Sequence, residues 1–215
     1  MLLGDFQPLL KAGHIAVFAL WFGTDLATFT ISRRVIDPEL DVSTRQVLAR
    51  VMLSIEVVAR LCLPTMLALG MSLYLHGYRP DAPAASTWGV VAVAVVWVGL
   101  VWRLHRSPGG ELASTLALVD LVGRSIVCAA LWVSGLWSVA VDGGPFSPHW
   151  IALKVVLFAV IMTCGILIRF TLRPFAGAFG DLATSGSSPE REAAVTRVIR
   201  RAQPLVVVIW MCLLA

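Results

Sequence analysis

The sequence predicts an all-α protein, a polytopic transmembrane helix bundle of about six spans. Three observations predict it. Only 14% of the 215 residues are charged and 58% are hydrophobic, at a mean hydropathy of +0.84, whereas about a quarter of a soluble domain is charged. Apolar runs long enough to cross a bilayer recur from one end of the chain to the other. The basic residues gather at the ends of those runs, so the formal charge of +4 encodes topology rather than an affinity for nucleic acid.

Taken in order, the runs cover about 8–31, 47–75, 88–104, 112–141, 150–172 and 195–215, forming a single integral membrane domain over 1–215. The first is expected to stay as a span, because residues 1–10 lack a positive region and no small-residue cleavage site follows. The second carries Pro64, which is expected to kink it beyond Arg60. The third has no ionisable residue between its ends and is expected to face lipid, with Trp88 and Trp102 as interface anchors. The fifth is the most apolar, yet it opens on His149, carries Lys154 and closes on Arg169 and Arg173. The sixth has a short apolar part ending on WMCLLA, read as a truncation or as an end buried against a partner.

Between the fifth and sixth spans, 176–192 is rich in Gly, Ser and Ala and reads as a flexible cytoplasmic linker. The run EREAAVTRVIRRAQ after it is expected to lie along the anionic inner leaflet. Arginines such as Arg33, Arg34, Arg103, Arg106, Arg173 and Arg191 flank the odd-numbered connections, while Lys11 and Arg79 lie on the other side. The positive-inside rule then puts the odd loops in the cytoplasm of a bacterial inner membrane and, with six spans, both termini in the periplasm.

Six ionisable residues fall inside the spans: Asp25, Glu56 and Asp120 against Arg60, Arg124 and Lys154. Charges in hydrocarbon are costly and default to functional hypotheses; the equal numbers favour neutralised pairs facing the bundle interior, either as a scaffold of ion pairs or as a polar pathway. Glu56 to Arg60 and Asp120 to Arg124 repeat one acid-x-x-x-Arg pattern, which places acid and base on one helix face and is consistent with two related hairpins.

Three of the four histidines, His14, His76 and His149, fall near the extracytoplasmic ends of spans, with Met71 at a similar level. Imidazole suits copper, zinc and haem iron, and thioether sulfur suits Cu(I), so these four are the ligand candidates. Cys62, Cys128, Cys164 and Cys212 lie in apolar segments without CxxC spacing and read as small buried hydrophobes. No Walker motif, GxGxxG, serine-hydrolase elbow or HExxH is present, so a non-enzymatic role is favoured.

The segments KAGHIAVFALWFG in the first span and ALKVVLF with GILIRFTLRP in the fifth resemble CopD-like copper-resistance membrane proteins. RLCLPTMLALG in the second is similar to the Arg–Pro–Gly helix of the related HemJ-type group. The resemblance implies that His14 and Lys154 are the foremost functional positions, with Arg60 next. It also implies copper as cargo and a periplasmic copper-binding protein as partner. The leading expectation is therefore an inner-membrane copper-handling protein with an outward-facing His/Met site, Lys154 forming one wall of it and the first span the other. The alternatives are a haem b- or porphyrin-binding redox protein with His14 as axial ligand, and an accessory subunit of a larger membrane complex.

Overall fold

A computed structural model of the chain describes residues 6–107 and 109–215. Residues 1–5, on which part of the reading of the N-terminus rests, lie outside the described residues. The described chain is helical throughout, in seven helices with no strand among them: α1 Gln7–Val35, α2 Val42–Tyr78, α3 Ala84–Arg106, α4 Gly110–Ala140, α5 His149–Thr171, α6 Phe175–Ser185 and α7 Pro189–Leu214. Five stretches are long and apolar enough to cross a membrane: α1, α2, α3, α4 and His149–Ser185, which holds α5 and α6. The protein is thus an all-α, multi-pass membrane protein whose helices contact lipid.

The sixth expected span is present as helix but is not among those five. Its first half carries Arg197, Arg200 and Arg201, and the charge-free remainder is 202–214. At the α-helical rise that part comes to roughly 20 Å, against about 30 Å of hydrocarbon.

The chain forms two compact units. One gathers the described residues up to Thr24 with Glu56–Asp120; the other gathers Asp25–Ile55 with Leu121–Ala215. The division cuts α1, α2 and α4, so each of them contributes to both.

In the first unit α1 and α2 run antiparallel. A Cβ added to Gly77 would sit 3.5 Å from the Gln7 amide nitrogen, one on Gly13 would sit 3.8 Å from the Leu69 methyls, and one on Gly70 would sit 3.4 Å from Cε1 of His14. Glycine at these crossings lets two backbones approach, which is how helices pack where lipid supplies no hydrophobic drive. In α3, Trp88 and Trp102 are exposed as lipid-facing anchors should be, but Trp97 and Val101 are buried. Trp97 follows Trp88 by nine residues, which turns it to the opposite side of a 3.6-residue helix.

The second unit has two packing centres. Where α4 crosses α5, Gly135 lies against Val156, and the seam beside it is polar. Thr163 accepts from the Trp132 indole at 3.0 Å and lies 3.3 Å from the Cys128 sulfur, while its own hydroxyl donates to the Ala159 carbonyl. At the arginine-rich end, Val35, Ala49, Met52, Phe175, Phe179, Leu182, Val195 and Ile199 form one apolar cluster. α7 packs on both α5 and α6, and Trp210 meets Phe29 of α1 edge to face at 5.0 Å.

This second cluster corrects two expectations. The stretch 176–192 is not a flexible linker: it holds most of α6 and the start of α7. Its Gly, Ala and Ser content suggested flexibility, but Phe175, Phe179 and Leu182 recur at helical spacing and are buried. Nor is the apolar side of EREAAVTRVIRRAQ spent on the bilayer surface, since Val195, Ile199 and Ala202 are buried in protein. Ser188 caps α7, accepting from the Arg191 backbone N–H, with Glu190 and Glu192 in the first turn where the helix dipole favours acids.

Candidate metal site and intramembrane charges

His14 lies on the side of α1 that meets α2, half-buried, with the edge of its ring over Gly70. The fit is ordinary van der Waals contact for one added carbon and no more. Gly70→Ala should therefore leave the pair intact, whereas Gly70→Ile should push the imidazole off α2. The check is the environment of His14, read by NMR of a ring-labelled protein: a changed signal in Gly70→Ile but not in Gly70→Ala is expected.

The other ligand candidates do not gather on that face. His76 stands six residues beyond Gly70, about 9 Å further along α2 and roughly 120° round it. Met71 is about 100° round from Gly70. Met66, which the sequence reading passed over, precedes Gly70 by about one turn, so it shares Gly70's face, and it is buried. The signal was available in the i, i+4 spacing, but it has meaning only once Gly70 is known to be the crossing point. His149 belongs to the second unit, where it is exposed and leans on Asp142 in the α4–α5 turn at 3.5 Å. Among the described residues, no group of three or more His, Cys, Asp or Glu side chains is placed to hold a metal ion.

The charged residues are placed unevenly. Glu56 and Arg60 form the expected pair, with three hydrogen bonds of 2.7–2.9 Å. It does not face the interior: the Arg60 side chain is 51% exposed and that of Glu56 25%. Lys154 is exposed on α5 in the second unit, while His14 belongs to the first. Asp25 and Arg124 are half-buried in the second unit.

Asp120 is the buried acid, 4% exposed, and its Oδ1 accepts a hydrogen bond from the Trp97 indole N–H at 3.0 Å. An expectation that α3 only faces lipid hid this partner. Trp97→Phe removes that donor from a buried carboxylate and should destabilise the protein by about 1–3 kcal/mol. The thermal melt of the detergent-purified variant checks it, and Trp97→Phe with Asp120→Leu together should recover part of the loss.

Arg45 is the other buried charge, and the sequence reading counted it only as a topology signal. It is 1% exposed; its Nε donates to the Val35 carbonyl at 2.7 Å and its two terminal nitrogens grip the Glu192 carboxylate at 2.8 and 2.9 Å. Those bonds hold the Glu192 carboxyl below the usual glutamate range, outweighing its partial burial, with help from the Ser187 hydroxyl. Arg45 lies one turn before Ala49 and two before Met52, both buried, so it extends their stripe.

No protein-family model, curated protein or solved structure matches the chain.

Proposed function

We propose that the protein handles copper in the bacterial inner membrane, using His14 and a thioether of α2 as a Cu(I) site. The observation that carries this reading is the seating of the His14 ring on Gly70, with Met66 one turn away on the same face of α2. An imidazole and a thioether are a donor set that suits Cu(I). At the crossing a Cβ on Gly70 would already touch Cε1 of His14 at 3.4 Å, which is too close for a flat macrocycle between the ring and α2. That contact weighs against the porphyrin alternative. The resemblance of the first and fifth spans to CopD-like proteins points the same way.

The positive-inside rule applied to α1 and its following arginines would put the N-terminus and the His14 end of the α1–α2 pair at the periplasmic side. A periplasmic copper-binding protein is then the natural donor. The accessory-subunit reading has its own observation. A half-exposed Glu56–Arg60 pair on a spanning helix is what a neighbouring subunit would cover.

The absorption spectrum and copper content of the isolated protein test the assignment. A colourless protein that binds Cu(I), with binding lost in His14→Ala, is expected. A Soret band lost in His14→Ala would establish haem and overturn it. Stoichiometric partner subunits with neither metal nor haem would move the conclusion to the accessory role.

A further inference from the structure

The arginines at the clustered end of the second unit divide into two sets. Arg34 reaches Asp37, Arg45 is buried on Glu192, and Arg191 donates to the carbonyls of Ser185 and Gly186. The guanidinium groups of Arg33, Arg173, Arg197, Arg200 and Arg201 are exposed and make no ion pair or hydrogen bond among the described residues. Acids are present at this end, in Asp37, Glu39, Asp41, Asp181 and Glu190, so the second set is not left over for want of carboxylates.

Their placement has a common level. Leu172, Val198 and Ile199 belong to or pack against one cluster with Ile31 and Val35. Arg173 and Arg197 are chain neighbours of Leu172 and Val198, and Arg33 lies between Ile31 and Val35, so all three stand around the rim of that cluster. On α7, Arg197, Arg200 and Arg201 share one face by their i, i+3, i+4 spacing, turned away from buried Val195, Ile199 and Ala202. The same face continues along α7 into exposed Val207, Val208 and Met211, and Leu167 and Phe170 are exposed at the end of α5, just before Arg173. Cationic forks above and bare apolar side chains below match a phospholipid, whose phosphate and acyl chain are joined in that order. A soluble anion would use only the upper half. Guanidinium binds phosphate oxygens bidentately, and the contact would also fix the depth of α7, whose apolar part is too short to fix it alone.

We propose that this arginine rim, centred on Arg197, Arg200 and Arg201, binds the phosphodiester headgroups of anionic phospholipids. Protein in nanodiscs of mixed phosphatidylcholine and phosphatidylglycerol, followed by native mass spectrometry of the lipid retained, tests it. Preferential retention of phosphatidylglycerol is expected, with the preference falling on the order of tenfold or more in the R197Q/R200Q/R201Q triple variant and unchanged in Lys154→Gln. Equal retention of the two lipids by the parent protein, or the same preference in parent and triple variant, would overturn it. So would an equal fall in Lys154→Gln, which would mean general charge, or the same thermal stabilisation by inorganic phosphate in neutral detergent, which would mean a soluble-anion site. If the triple variant does not fold, R197Q and R173Q taken singly carry the comparison.

Discussion

Arg45→Ala is expected to be the most damaging single substitution in the second unit. It removes one partner of a buried pair and leaves the Glu192 carboxylate, with its side chain 16% exposed, facing an apolar cluster. Breaking such a pair costs roughly 3–5 kcal/mol, which is a large part of the stability of most domains. The Val35 carbonyl also loses its donor. α1, α2 and α7 are joined at this one side chain, so the loss should be local opening as well as a lower melting temperature. Trypsin cleavage after Arg191 should accelerate sharply in Arg45→Ala; cleavage at the parent's rate would show that the pair does not hold α7. The double change to Arg45→Met with Glu192→Leu should recover much of the loss, because it removes the stranded charge along with the bond.

The same latch sets an acid limit. The folded-state pKa of Glu192 lies below its ordinary value of 4.5, so the carboxylate form stabilises the fold. That contribution is fully present above the ordinary value and is lost as pH falls from there through the lower folded value. Glu192→Gln should flatten this part of the stability profile, since glutamine does not titrate. A profile with the same slope in both proteins would place the acid sensitivity elsewhere.

Gly135→Leu is expected to be the second most damaging change. Even one added carbon would meet the Val156 methyl at 2.9 Å, Val155 at 3.2 Å and the Val156 backbone nitrogen at 3.3 Å. A side-chain methyl can rotate away, but the backbone of α5 cannot. The helices must separate, which costs about 1–3 kcal/mol in overpacking and stretches the Trp132–Thr163 bond. A lower melting temperature together with a red-shifted Trp132 fluorescence in Gly135→Leu is the expected result. Gly123, with open space beside it, is the control: Gly123→Ala should melt no lower than the parent.

The five long apolar helices and their order were legible in the sequence because apolar length and charge placement are dictated by the bilayer itself. What was not legible shares one cause: a residue's type says what it costs to bury, not whether the chain buries it. Arg45 read as a topology mark like Arg50, yet one is enclosed and the other exposed. The third span read as lipid-facing, and only the half-turn offset of Trp97 from Trp88 marks its buried side. The Gly- and Ala-rich stretch before Ser185 read as linker because small residues were counted and the phenylalanine spacing was not. At the proposed site, His14 was singled out by its type, its depth and the resemblance of its segment. Its partner face needed Gly70, which carries no chemistry of its own and gains meaning from what approaches it.

The most direct test of the account compares the copper bound per chain by the parent, His14→Ala, Met66→Leu and His76→Ala, each loaded with Cu(I) in detergent and washed before metal analysis. The account predicts that binding is abolished in His14→Ala, weakened in Met66→Leu and kept in His76→Ala, which lies on another face of α2. Copper retained by His14→Ala and lost from His76→Ala would contradict it.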